Sequence, residues 1–214
     1  MPFLTRSFSR ARSRALPTLA LLLVSMFTLA ACAAPGPAPA APPSSGGAAA
    51  PPRAPGELLA DYGLDGLDAR QIVDRLDALP VADRPADLIA SVRPDVLALS
   101  DGERELALPM PEEFYVSIAP YRSQTHECVF HSLTTCRGEL ANEAFRVVAS
   151  DMATGETVLD EVRTSFDNGF VGLWLPRGAQ FEVRITDADG ATSAATVDTA
   201  ALDAASCVTT MRLG

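Results

Sequence analysis

Phe145-Arg146-Val147-Val148-Ala149-Ser150-Asp151-Met152-Ala153-Thr154-Gly155-Glu156-Thr157-Val158-Leu159-Asp160-Glu161-Val162-Arg163 is the stretch that decides the fold. Phe145, Val147 and Ala149 recur at every second position, which makes one face of an extended chain apolar and leaves Arg146 on the other. A second run, 158–163, follows the turn signal Thr154-Gly155, so the pair reads as a hairpin. The pattern extends in both directions. Upstream, Leu97 and Leu99 alternate with small or polar residues, Asp101-Gly102 marks a turn, Leu106 and Leu108 lead to Pro109-Met110-Pro111, and Phe114, Val116 and Ile118 alternate again. Downstream, runs at 171–175, 181–185 and 194–197 are separated by Asp167-Asn168-Gly169, Arg177-Gly178 and Asp187-Ala188-Asp189-Gly190. Short strands at this spacing predict an antiparallel β-sandwich or open barrel over residues 96–214, with Phe170 and Trp174 filling its core. Asp187-x-Asp189-Gly190 lacks the later carboxylates of a calcium loop and reads as a turn.

Before residue 96 the period is helical, which makes the class α+β: a short N-terminal helical region, 57–95, followed by the β domain. Asp68-Ala69-Arg70-Gln71 fits a capping box, and Ile72, Val73, Leu76 and Leu79 follow at helical spacing until Pro80. A second short helix is expected at 82–91, with Pro85 in its first turn, Leu88, Ile89 and Val92 as its face, and Arg93-Pro94 ending it. Leu58, Leu59, Tyr62, Leu64 and Leu67 are expected to pack on both helices. The acidic residues of this region are expected on solvent faces, without chemistry.

The first 31 residues read as a targeting segment. Arg6, Arg10, Arg12 and Arg14 precede an apolar run ending in Leu29-Ala30-Ala31-Cys32, a pattern similar to a bacterial lipobox. It implies cleavage before Cys32 and lipid attachment to its sulfur, which removes Cys32 from the pool of thiols. Residues 32–56 are the anchor cysteine and an Ala/Pro-rich linker that cannot bury a core; about two dozen residues at about 3.1 Å each would span roughly 70 Å. The expected location is the extracytoplasmic face of a membrane, held by a lipid anchor. Loss of the four leader arginines takes the net charge from -10 to -14. Such acidity tells against nucleic acid as a partner. The chain has no lysine, which excludes a P-loop, a Schiff base and Ser-Lys chemistry.

Chemistry concentrates in His126-Glu127-Cys128-Val129-Phe130-His131-Ser132-Leu133-Thr134-Thr135-Cys136, which holds both histidines and two of the three cysteines remaining after the leader. In an extended strand His126 and Cys128 share a face while His131 points the other way. A turn would return Cys136 to Cys128, and Cys207, opening a last strand, would bring a third sulfur. Three thiolates with imidazole nearby suit copper(I), or zinc as Cys3His, although the chain has no CxxC knuckle of the usual structural zinc site. Two other readings stay open. One is a thiol-disulfide oxidoreductase or metal reductase using Cys128 and Cys136; against it stand the missing CxxC and the absence of a thioredoxin-like order of elements. The other is a disulfide-stabilised scaffold that binds no metal.

Three segments resemble the CueP family of periplasmic copper-binding proteins. They are Gln124-Thr125-His126-Glu127-Cys128 with His131-Ser132-Leu133-Thr134-Thr135-Cys136-Arg137-Gly138-Glu139-Leu140, then Asp167-Asn168-Gly169-Phe170-Val171-Gly172-Leu173-Trp174-Leu175-Pro176, and Cys207-Val208-Thr209-Thr210. The resemblance runs from about Leu58 onward, including Leu59-Ala60-Asp61-Tyr62-Gly63-Leu64. It implies copper binding and copper resistance in the cell envelope, with Cys128, Cys136 and Cys207 as metal-binding residues and His126 or His131 as auxiliary donors. It further implies transfer of copper to an exported cuproenzyme such as a superoxide dismutase, thiol-dependent reduction of metal ions, and a homodimer. A tether departs from the soluble members and favours sequestration over delivery.

Overall fold

The computed structural model describes residues 55–214; the leader, Cys32 and the linker up to residue 54 lie outside the described residues. Among the described residues no helix is long and apolar enough to cross a membrane.

Two short helices open the fold, α1 (Pro55–Asp61) and α2 (Ala69–Asp77). The capping box is present: Asp68 Oδ1 accepts from the Gln71 amide at 2.9 Å and Gln71 Oε1 from the Asp68 amide at 3.0 Å. These bonds satisfy donors that a helix start leaves without partners. The face formed by Ala69, Ile72, Val73 and Leu76 is buried against Leu58, Leu64 and Leu88, with Leu59, Tyr62 and Leu67 packed at the margin. Residues 82–91 do not form the expected second helix. A single 3-10 turn at Val81–Asp83 is followed by strand β1 (Ile89–Val92). The helical reading rests on Pro85 as a first-turn residue, on Leu88, Ile89 and Val92 as a face and on Arg93-Pro94 as a stop, but the same apolar residues fit a strand once Ala90 and Val92 turn inward and Ile89 outward. Pairing with β2 (Val96–Ser100) through the tight turn at Arg93 decides in favour of the strand.

The sheets are antiparallel apart from one short parallel pairing. β1, β2 and β3 (Glu105–Pro109) form a three-stranded meander. β4 (Phe114–Ile118) is the middle strand of a second sheet, flanked by β7 (Val171–Leu175) and, in parallel, by β10 (Cys207–Val208). The third sheet runs β6 (Thr157–Thr164), β5 (Ala144–Asp151), β8 (Gln180–Asp187), β9 (Thr192–Asp198). The hairpin expected at residues 145–163 is β5–β6, with Ala144 opposite Thr164 and Gly155 at φ 74° in its turn.

The last two sheets face each other as a sandwich and no barrel closes. Phe114, Val116 and Ile118 of β4 meet Phe145, Val147 and Ala149 of β5 and Phe181, Val183 and Ile185 of β8 in one core. β4 is buried on both faces. Its alternate residues Tyr115 and Ser117 point away from the sandwich toward α2. Trp174 lies half-buried on that second side, while Phe170 is fully buried beside Cys207. The turn at Asp187 carries the expected hairpin chemistry: its carboxylate accepts from the amides of Asp189 (3.0 Å) and Ala191 (2.9 Å), and Gly190 has φ 86°.

Candidate metal centre

The Cys/His segment lies between β4 and β5 and does not form the expected strand. Residues 126–130 pair with no neighbour as a ladder, and other ties fix the segment in place. The free edge of β1 takes its second half: Leu133 N donates to Ala90 O and Val92 N to His131 O, both at 2.8 Å. The buried hydroxyl of Ser206 accepts from His131 N at 3.0 Å and donates to Val92 O at 2.5 Å. Cys207 N donates to Val129 O at 3.2 Å, so β10 lies along β4 and also makes a backbone hydrogen bond to the segment. A turn closed by Cys136 N to Ser132 O (3.1 Å) brings the Cys136 sulfur back, where Ser132 N donates to it at 3.3 Å. Arg84 Nη1 donates to Cys136 O at 3.2 Å and ties the turn to the helical layer.

All five residues expected at the site converge. Cys128 and Cys207 are joined as a disulfide across 79 residues, with Cα atoms 5.6 Å apart. Cys136 is free and half-buried, its Sγ 3.7 Å from that of Cys128. Donor atoms group into two sets, each within 4.8 Å: His126, Cys128 and Cys136 toward solvent, and His131, Cys136 and Cys207 toward the interior. Cys136 belongs to both. Phe170 and Ala119 form an apolar floor, with the His131 ring 4.5 Å and the His126 ring 6.3 Å from that of Phe170.

Beneath the sulfurs lies a polar network that the sequence reading missed. Asp77, placed on a solvent face by that reading, is fully buried at the end of α2. Its Oδ1 lies 2.9 Å from His131 Nε2 and accepts from Asn168 Nδ2 at 2.8 Å; its Oδ2 accepts from Tyr115 Oη at 2.5 Å and Ser117 Oγ at 3.0 Å. Arg84 Nη2 approaches Oδ1 to 3.6 Å, also buried. A buried carboxylate with four hydrogen-bond donors and a guanidinium has the partners its charge needs. One signal was available: Asp77 sits four residues after Val73 and one after Leu76, on the apolar stripe of its own helix.

Small residues admit the network. A Cβ on Gly172, opposite Ser117 in the β4–β7 register, would overlap the Tyr115 hydroxyl. Gly138 and Gly169 approach so closely that a Cβ on either would strike the other's backbone at 2.7 or 2.6 Å, and Gly138 N donates to Asn168 O at 2.6 Å. Burial opposes the charge on His131, but the Asp77 carboxylate and the neighbouring Cys136 sulfur outweigh it and raise the imidazolium to about 9. Burial likewise pushes the Cys136 thiol up; the His131 cation and the Ser132 amide overcome this and leave it below its ordinary value.

Three sulfurs and two imidazoles over an apolar floor, at the edge of a β-sandwich, are the donors of a protein class that handles soft metal ions or exchanges thiols. Within that class the chain belongs to the family described as periplasmic copper-binding protein CueP, whose model matches residues 71–212. Among solved structures it is similar to one titled "Crystal Structure of S.CueP", with 36% sequence identity and a TM-score of 0.70, covering 74% of this chain and 96% of that one. No curated protein sequence matches. The family is one of copper-binding proteins of the periplasm, which puts this chain in the cell envelope.

Proposed function

We propose that the chain buffers copper(I) in the envelope through Cys128, Cys136 and Cys207. The observation that carries this is the 3.7 Å approach of Cys136 Sγ to Cys128 Sγ, with Cys128 itself bonded to Cys207. Cys136, eight residues from Cys128, and Cys207, 79 residues from it, thus both bring their sulfurs beside that of Cys128, which supports a shared ion. Two electrons from an external thiol reductant open the disulfide to two thiols. Copper(I) then displaces the thiol protons and takes a low-coordinate soft set, which suits it better than zinc in a chain with no CxxC knuckle. In the proposed organisation residues 1–31 are removed, Cys32 carries lipid, the linker that follows holds the domain off the membrane, and a short helical part ending at Asp77 and the turn at Val81–Asp83 precede the strands that begin at Ile89.

Anaerobic titration of the reduced mature chain with copper(I), against a competing chelator, is expected to give one tightly held ion per chain. Serine at any of the three cysteines should abolish that affinity. Unchanged binding with all three replaced would overturn the assignment. Loss of acyl labelling on Cys32→Ser tests the anchor separately. Transfer to an exported superoxide dismutase or other cuproenzyme, and homodimer formation, are further expectations; copper transfer to an apo-enzyme and the mass of the chain in solution test them.

A second reading is favoured by one specific feature, a free Cys136 with a lowered pKa beside a disulfide. It is a thiol-disulfide or metal reductase: Cys136 attacks Cys128, forming a Cys128–Cys136 disulfide and releasing Cys207 as a thiolate, and an external thiol supplies the two electrons consumed by each substrate disulfide or by two copper(II) ions. Turnover of a model disulfide or of copper(II) that Cys136→Ser abolishes would favour it over plain sequestration.

A further inference from the structure

The two histidines of the centre are held very differently. His126 is exposed, and its ring meets Phe170 only edge-on. His131 is fully buried and fixed at several points. Its amide donates to Ser206, its carbonyl accepts from Val92, its ring lies against Phe170, and its Nε2 is 2.9 Å from Asp77 Oδ1. Its Nδ1 is left on the sulfur side, 3.9 Å from Cys207 Sγ.

We infer that Asp77 is a positioning residue of the metal centre: it holds Nε2 of His131 so that Nδ1 faces the sulfurs, and His131 rather than His126 gives copper(I) its nitrogen ligand. The inference rests on the copper(I) reading above and deepens it. Three physical points carry it. First, the carboxylate has no free position to rotate into, because Asn168, Tyr115 and Ser117 occupy its remaining acceptor sites. Second, the buried guanidinium of Arg84 lies 3.6 Å from the same Oδ1 that faces Nε2, so the oxygen that meets the ring is held from a second side. Third, a ring already fixed loses little rotamer freedom when it ligates, whereas the exposed ring of His126 would have to be ordered first. A histidine whose second nitrogen is held by a carboxylate is a recurrent arrangement at metal sites, and its loss costs about 10–100-fold in affinity. On binding, copper(I) takes the place of any proton on Nδ1 while the proton on Nε2 stays with Asp77, so no redox step is required.

The test uses the reduced mature chain loaded with copper(I). Asp77→Asn is expected to weaken copper(I) binding about tenfold or more, and X-ray absorption should show a nitrogen ligand in the wild type that is diminished in the variant. The same substitution made in a His131→Asn background should add little, because Asp77 acts through that ring. If Asp77→Asn does not fold, NMR of the wild type decides the matter. The Nε2 proton of His131 should persist, slowly exchanging, before and after loading. Its loss on loading would overturn the inference, as would an equal effect of Asp77→Asn with and without His131, or a nitrogen signal that vanishes with His126→Asn instead. A wild type that takes up no copper(I) would sink the functional reading itself, whereas normal uptake with an unaffected Asp77→Asn variant would sink only the role of Asp77.

Discussion

The carboxylate of Asp77 and the imidazole of His131 meet at 2.9 Å with both side chains fully buried, joining the last residue of a short helix to the centre of the cysteine loop. The contact links the helical layer to the sulfurs, and Arg84 reinforces it by bonding the Asp77 carbonyl at 3.0 Å and the Cys136 carbonyl at 3.2 Å.

Removing that carboxylate leaves a buried guanidinium, an imidazole, an amide and two hydroxyls short of a partner. Asp77→Ala is therefore expected to destabilise the fold by about 3–5 kcal/mol, as breaking a buried pair does. Tyr115→Phe, which deletes one hydroxyl and leaves the ion pairs, should cost about 1 kcal/mol. Urea unfolding of both variants checks the ranking. An Asp77→Ala penalty no larger than that of Tyr115→Phe would show that the network does not act as the keystone of the site.

The thiol of Cys136 should be reactive at lower pH than an ordinary cysteine. In the form with Cys128 and Cys207 joined, it is the free thiol among the described residues, and the His131 cation favours its thiolate against the opposing effect of burial. The pH profile of its alkylation by iodoacetamide is thus expected to rise with a midpoint below the usual thiol value. His131→Asn removes the cation and should move that midpoint upward. A profile that does not respond to the substitution would show that another group sets the thiol's acidity.

The sheet layers were legible in advance because a period of two is written in consecutive residues such as Phe145, Val147 and Ala149. The strand at Ile89–Val92 was not, since four residues fit either period and its pairing with β2 is a tertiary event. The same distinction divides the site. The cysteines and histidines that the fold brings near one another could be picked out from residue type and spacing. The choice of Cys207 as the disulfide partner of Cys128 depends on β10 lying beside β4, which no local signal specifies. Asp77 was hidden more deeply, because its partners Tyr115, Ser117, His131 and Asn168 lie 38, 40, 54 and 91 residues away.

Gly172 provides a steric test of the same network. A methyl group there would occupy the space of the Tyr115 hydroxyl, so Gly172→Ala must displace that ring from Asp77. Overpacking of this kind costs about 1–3 kcal/mol. Combining it with Tyr115→Phe should recover part of the loss, because the clashing oxygen is gone. Thermal unfolding of the single and double variants gives the coupling. Strict additivity would mean that the two residues do not collide.

Acid should loosen the loop that presents His126 before it unfolds the sandwich. Glu139 accepts from the Ser123 hydroxyl and from the amides of Arg122 (2.7 Å), Ser123 (2.9 Å) and Gln124 (3.3 Å), and these bonds depress its pKa to about 2 from an ordinary 4.5. A folded pKa below the unfolded one contributes stability that is complete above about 4.5 and is lost as pH falls through about 2. Hydrogen exchange at the three amides should therefore stay protected near neutrality and lose protection, relative to the strands, across that interval. Glu139→Gln should show the loss already at neutral pH, with the β5–β8 amides unchanged. Equal protection in both proteins at every pH would mean that the loop is held by Arg122 and its partners Glu143 and Asp187 instead.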